Sequence, residues 1–193
     1  MILLIVGLLL FLGLHSVRLL APAWRERWIA RHGMGQFRVL YSVVSLLSFA
    51  LVVYGYGLSR GAPAFLYVPP LWTRHLAILL TWLAFVLVAA GYAPANALRA
   101  RLGHPIYAGV KVWAFAHLLA NGRTSDVLLF GGFLLWAIAG FAIRRRQDRA
   151  AHLVPAPATV RGNVGALVGG TLLWALFAWW LHPLLIGVSP LRF

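Results

Sequence analysis

The chain has 193 residues, of which 62% are hydrophobic and only 10% are charged, and its mean hydropathy is +0.86. Average soluble domains are roughly half apolar and about a quarter charged, so this composition indicates an integral membrane protein. The net charge is +14, but the arginines stand between apolar runs rather than along one polar face, which argues against nucleic-acid binding. The absence of cysteine excludes a disulfide framework and thiolate chemistry.

Apolar runs of spanning length follow one another along the chain, since a membrane-spanning helix needs about 20 mainly apolar residues. The first run resembles the apolar part of a signal peptide, but it lacks a basic start, and Ala21-Pro22-Ala23 is a poor cleavage site. We therefore predict an all-α integral membrane bundle of about six helices, forming one domain over residues 1–193. The predicted helices are residues 2–21, 39–58, 74–92, 105–121, 125–143 and 164–186.

The fourth predicted helix is the shortest, and polar residues concentrate in it. Pro105 suits the first turn, where its missing N–H is not needed, and Asn121-Gly122 suits the end of a helix. The helix carries His117 and Lys111, which are costly inside a bilayer unless they have partners or a function.

The predicted loops alternate between rich and poor in arginine, which is the pattern that sets orientation in a membrane. This alternation supports six spans and a topology with both termini outside the cytoplasm, which is the periplasm in a bacterial cell. The rich loops hold Arg25, Arg27, Arg31 and Arg38; Arg99 and Arg101; and Arg144, Arg145, Arg146, Arg149 and Arg161, whereas the poor side holds Arg60, Arg74, Arg123 and Arg192.

Only three acidic residues are present, Glu26, Asp126 and Asp148, and all are predicted to lie in loops or at helix edges. A carboxylate-pair hydrolase, a carboxylate-rich divalent metal site and a Ser-His-Asp triad each need buried acids. The sequence therefore argues against all three classes.

Histidine is the remaining residue type with suitable chemistry. His32 and His152 fall in basic loops and are expected to be solvated. His75, His104 and His182 are expected near the membrane interfaces, where a histidine reaches water or headgroups at little cost.

His15 and His117 are expected to lie deeper, on different helices. Neutral imidazoles from two helices of a bundle can ligate haem iron, but interhelical hydrogen bonds also account for buried polar groups. The predicted helix bounds place the two rings at different depths, so both interpretations stay open. Arg18 and Lys111 can reach the interface or meet an anionic headgroup or propionate.

Several short motifs are spread along nearly the whole chain. They are His15-Ser16-x-Arg18, Leu40-Tyr41-Ser42, Gly103-His104-Pro105, Trp113-Ala114-Phe115-Ala116-His117, Leu118-Leu119-Ala120-Asn121-Gly122, Val127-Leu128-Leu129-Phe130-Gly131 and His182-Pro183-Leu184. Together these motifs resemble those of the NnrU family. The resemblance implies a bacterial inner-membrane protein linked to denitrification and nitric oxide metabolism.

The chain is also similar to the plant and cyanobacterial zeta-carotene isomerases of that family. This similarity implies a haem b with His15 and His117 as axial ligands and a redox-dependent ligand change. Ala114 stands where the isomerases have a cysteine, and Gly103 stands where they have an arginine. Three functions follow as hypotheses: a haem protein of nitric oxide metabolism, a carotenoid cis-trans isomerase, and a non-enzymatic assembly or regulatory factor. The lipid bilayer is the expected partner, with a hydrophobic or nitric oxide-related small ligand.

Overall fold

The computed structural model describes residues 1–61 and 64–191, which form an all-α bundle. Five of its helices are long and apolar enough to cross a membrane, and Pro105–Ala120 is a shorter apolar helix. The predicted membrane bundle is therefore confirmed. The helices are α1 Ile2–Leu20, α2 Pro22–His32, α3 Met34–Ser59, α4 Leu71–Tyr92, α5 Ala97–Leu102, α6 Pro105–Ala120, α7 Thr124–Ala150, α8 Val160–Leu176 and α9 His182–Ile186, with a π-helical segment Phe177–Leu181 joining the last two.

Two short helices occupy stretches that were predicted to be loops. Pro22 begins α2, where its missing N–H costs nothing, and the helix ends at Gly33, whose φ is +86°. Asn96 caps α5 by accepting a hydrogen bond of 2.9 Å from the Arg99 amide. Both helices are rich in arginine and too short to span a membrane.

Helices α1 and α3 approach closely because glycines line their contact. A Cβ added to Gly55 would lie 2.5 Å from the Leu4 amide nitrogen, and one added to Gly7 would lie 2.8 Å from that of Val52. Small residues allow such backbone contact in membrane bundles, where dispersion forces replace the hydrophobic effect between helices. The pairing is antiparallel, since Leu4 faces Gly55 while Gly7 faces Val52.

Helix α7 packs against both α1 and α6. It is antiparallel to α6, because Tyr107 packs on Gly140 and His117 packs on Phe130. It is parallel to α1, because Phe11 contacts Phe133 and the next contact along both helices joins Ser16 to Trp136. The buried core cluster at this junction consists of Leu4, Leu8, Val52, Ala114, Leu129 and Phe130.

The last apolar helix changes its winding just before Pro183. Phe177–Leu181 is a π-helix, and the His182 amide donates to the Phe177 carbonyl. Proline has no N–H and its ring clashes with the carbonyl four residues earlier, so a wider turn accommodates it. Val160–Ile186 thereby remains one continuous apolar span.

The bundle has two chemically different ends. We call the end that carries α2, α5 and the last turns of α7 the basic face, because the predicted arginine-rich segments meet there. The opposite face carries Arg60, Arg74 and Arg123 among the described residues, whereas Arg192 lies outside the described residues. The side of the membrane to which each face belongs stays a prediction, as does the single-domain assignment.

Candidate functional site

His15 lies in the half of α1 nearer to the basic face and is half-buried. Its ring centroid lies 4.2 Å from that of Phe11 and 5.5 Å from that of Tyr41 on α3. Trp136 on α7 presents its ring edge-on at 6.4 Å. Three helices therefore enclose this imidazole with aromatic rings.

His117 lies one turn before the end of α6, near the opposite face. Its ring stacks on Phe130 of α7 at a centroid distance of 4.4 Å, and Trp113 of its own helix lies at 5.0 Å. The packing of both rings against α7 follows from the helical repeat. Trp113 and His117 are one turn apart, so they point toward the same neighbouring helix.

The two imidazoles make the same contact with their own helices. His15 Nδ1 lies 2.7 Å from the Phe11 carbonyl oxygen, and His117 Nδ1 lies 2.9 Å from that of Trp113. A carbonyl oxygen only accepts, so Nδ1 carries the proton in each contact. In the neutral ring Nε2 then holds the lone pair, which is the form that binds a metal.

Between the two imidazoles lies a row of three aromatic side chains, Phe11, Phe133 and Trp113, which we call the aromatic row. Phe11 and Phe133 have ring centroids 5.8 Å apart, and Phe133 and Trp113 have theirs 5.4 Å apart. His15 contacts the first ring of the row and His117 contacts the last. The structure therefore brings the two histidines into one aromatic cluster but not into contact.

The levels of the two histidines along α7 differ as well. His117 is level with Phe130 and His15 contacts Trp136, six residues further along that helix. Six residues correspond to a rise of about 9 Å. This offset agrees with the difference in depth expected from the sequence.

The donor chemistry of each imidazole fits iron, because each presents a free Nε2 beside a fixed Nδ1–H. The offset argues against one iron held by both, since imidazole nitrogens bind transition metals at about 2 Å and the two rings contact α7 at positions six residues apart. No group of three or more His, Cys, Asp or Glu side chains that can hold a metal ion occurs within residues 1–61 and 64–191.

The other predicted cofactor contact, Arg18, is exposed in the last turn of α1, near the basic face. It lies three residues from His15, one helical turn along the same helix. Lys111 leans toward the basic face, with its Nζ 3.8 Å from the centre of the Phe141 ring. That direction matches snorkelling toward the nearer interface.

Asp126 lies in the first turn of α7, at a helix edge as predicted, but it is buried, so the expectation that the chain has no buried acid is wrong. Only 2% of the residue is exposed. Tyr56 donates to its Oδ1 at 2.7 Å and the Arg123 amide donates to its Oδ2 at 3.0 Å. The carboxylate is buried because α3 supplies the phenol across the bundle while the first turn of α7 supplies the amide.

The loop between α3 and α4 closes over the end of α6 near His117. Tyr67 donates hydrogen bonds to the carbonyls of Leu118 and, at 2.7 Å, Asn121. Burial raises the pKa of the Tyr67 hydroxyl, and the Asp126 carboxylate acts in the same direction. This loop leaves no room for a side chain at position 122, where the Tyr67 carbonyl meets the Gly122 backbone.

The remaining histidines lie away from this cluster. His32 and His152 are exposed at the basic face, and His75 is exposed in the first turn of α4. His182 Nδ1 donates to the Val188 carbonyl at 2.6 Å. His104 Nε2 lies 2.9 Å from Asp148 Oδ2, without hydrogen-bond geometry.

Ser16 is a further polar residue of the cluster whose partner the sequence did not reveal. The Trp136 indole N–H donates to Ser16 Oγ at 3.1 Å, and that hydroxyl donates to the Leu12 carbonyl at 2.7 Å. The His15-Ser16 pair was visible in the sequence, but the indole comes from a helix 120 residues further along the chain.

These features define a class: an integral membrane helical bundle with two imidazoles embedded among aromatic side chains. Residues 3–190 match the NnrU protein family, so the chain belongs to that family. No curated protein and no solved structure matches the chain at significant similarity.

Proposed function

We propose that this chain is a bacterial inner-membrane protein of denitrification and nitric oxide metabolism, and that it binds haem b as a cofactor through an imidazole, with His15 and His117 as the two candidate ligands. Family membership supports the first part of this proposal. The observation that carries the second part is the pair of fixed Nδ1–H groups, which leaves both Nε2 atoms as lone-pair donors inside the bundle.

Haem bound to an imidazole supplies an iron that binds nitric oxide and changes oxidation state. The chain's own contribution is to fix the tautomer of each imidazole and to surround it with rings that exclude water. Arg18 is proposed to pair with an acidic group of the cofactor at the basic face. Because the packing does not place both imidazoles on one iron, we expect ligation through one of them.

The test is a visible spectrum of the detergent-purified protein, before and after reduction. We expect a Soret band that is abolished by one of the substitutions His15→Ala and His117→Ala and unaffected by the other. His32→Ala is a matched control, since its Nδ1 makes the same contact with the Trp28 carbonyl, at 3.1 Å, on an exposed helix. A colourless protein reconstituted with haem, or a band that survives both substitutions, contradicts the haem proposal.

A second candidate is a non-enzymatic factor that assists assembly or regulation of denitrification complexes. The ring packing of His117 on Phe130 and Trp113 favours it, because an imidazole can fill such a position without binding a ligand. A colourless protein whose deletion lowers the membrane content of nitrite or nitric oxide reductase supports this candidate. Unchanged reductase content in the deletion strain contradicts it.

Carotenoid isomerisation remains a prediction drawn from the family resemblance. Ala114 is fully buried in the core cluster and has no sulfur to offer as an alternative ligand. Co-expression with enzymes that produce cis-zeta-carotene, followed by pigment analysis, decides this activity. An unchanged ratio of cis to trans pigment excludes it.

A further inference from the structure

A groove at the basic face combines an apolar wall with three arginines. It has a volume of about 570 Å³ and is formed by the end of α7, with Phe141, Ala142, Ile143, Arg145, Arg146 and Arg149 as its lining. The apolar residues precede the arginines along the helix, so the groove passes from hydrocarbon-like to polar surroundings toward the end of the bundle.

One nearby acid, Asp148, offsets only part of the positive charge of this groove. Asp148 is the only carboxylate in α7 beyond Asp126, and its Oδ2 is engaged by His104 at 2.9 Å. In the part of the chain that the structure describes, that contact is the only one between a carboxylate and a basic side chain. Even if Asp148 offsets one charge, three guanidinium groups leave the groove strongly positive.

A fourth cation lies beside the apolar wall. Lys111 Nζ lies 3.8 Å from the centre of the Phe141 ring, and Phe141 lines the groove. The ammonium therefore sits on the bilayer side of the arginines. An occupant that satisfies this pattern has acyl chains against the apolar wall and a phosphate between the cations.

We propose that this groove binds an anionic phospholipid of the adjacent leaflet, with the phosphate held by Arg145, Arg146 and Arg149 and an acyl chain along Phe141 and Ile143. Guanidinium groups bind phosphate oxygens in a bidentate manner, which a compact ammonium does not. Clusters of basic residues at the end of a membrane helix attract anionic lipid headgroups, and Arg144 adds a fourth arginine to this end of α7. The proposal is independent of any haem at His15 or His117.

The experiment compares two variants that lose the same charge. Arg145→Gln/Arg146→Gln/Arg149→Gln removes the groove cations. Arg27→Gln/Arg31→Gln/Arg99→Gln removes three exposed arginines of the basic face. These arginines do not line the groove, and they do not contact an aromatic ring. Each full-length protein is placed in phosphatidylcholine nanodiscs that contain a minor fraction of phosphatidylglycerol or cardiolipin, and retained lipid is counted by native mass spectrometry.

We expect the groove variant to retain anionic lipid roughly 100-fold more weakly than the unaltered protein, given the contribution of each basic residue near an anionic surface. The control variant should retain the lipid. Equal loss in both variants shows general attraction to the basic face and overturns the proposal, as does unchanged retention in the groove variant. Displacement of the lipid by millimolar inorganic phosphate also overturns it, because the site then serves a free anion.

Circular dichroism and gel filtration establish that each variant is folded. If the triple variant is not, Arg146→Gln/Arg149→Gln alters only the two exposed arginines and is expected to weaken retention in the same direction. Unchanged retention in that folded variant contradicts the role of these arginines.

Discussion

Tyr56 on α3 donates a hydrogen bond of 2.7 Å to Asp126 Oδ1 on α7, and this bond joins two helices that otherwise share few contacts. The carboxylate is 2% exposed, and its second oxygen accepts from the Arg123 amide. A buried carboxylate is costly without such donors, so the pair ties α3 and α7 together at the face opposite the basic face.

Replacing Tyr56 by Phe should therefore destabilise the bundle. The substitution removes one hydrogen bond to a charged group, which contributes about 1.5–3 kcal/mol to stability. Thermal unfolding in detergent should show a lower midpoint than for the unaltered protein. Tyr54→Phe is the matched control, because Tyr54 is 62% exposed on the same helix. Equal midpoints for the two variants would show that the Tyr56–Asp126 bond contributes nothing to stability.

Gly55→Ala should separate α1 from α3. The added methyl group would meet backbone atoms, with the Leu4 nitrogen at 2.5 Å and the Leu3 carbonyl carbon at 2.8 Å, so neither can move without shifting the helix. Such overpacking costs roughly 1–3 kcal/mol, measurable by the same unfolding experiment.

Gly57→Ala provides the comparison for that substitution, since a Cβ at Gly57 meets nothing within 4 Å. Removing a helical glycine there should leave stability unchanged or raise it by up to about 1 kcal/mol. A loss of stability in Gly57→Ala as large as that in Gly55→Ala would mean that close α1–α3 contact is not the cause.

Ser16→Ala should remove the acceptor of the Trp136 indole N–H, which lies 3.1 Å from Ser16 Oγ. Interhelical hydrogen bonds in membrane bundles contribute about 0.6 kcal/mol on average and at most about 1.7 kcal/mol, so we expect a small but measurable loss in unfolding free energy. Ser48→Ala controls for the loss of the hydroxyl itself, because Ser48 Oγ donates only to carbonyls of its own helix. If both alanine variants have the same unfolding free energy, the hydrogen bond from the Trp136 indole contributes nothing to stability.

The predicted orientation can be tested with single cysteines, since the chain has none of its own. Leu66 and Leu153 have similar exposure, 61% and 64%, but lie at opposite faces of the bundle. If the basic face is cytoplasmic, a membrane-impermeant maleimide added to intact spheroplasts should label Leu66→Cys and not Leu153→Cys. Labelling of Leu153→Cys alone would reverse the topology.

Local pattern was sufficient to predict much of the architecture. The length of the apolar runs was enough to identify the five long helices and the shorter apolar helix α6. Pro105 and Asn121-Gly122 marked the ends of α6, which the structure places at Pro105 and Ala120. The helices α2 and α5 were not predicted, because their short arginine-rich segments lack the apolar length used to recognise a span.

Composition and the spacing of apolar residues by themselves determined that this protein is a helical membrane bundle, because the bilayer imposes helix length and backbone pairing on each segment separately. The tertiary structure alone decided which polar groups meet. Burial of Asp126 depends on a phenol 70 residues earlier, and the separation of His15 from His117 depends on rings contributed by three helices. Contacts between distant segments follow from how helices pack around α7, and no local pattern in the chain encodes that arrangement.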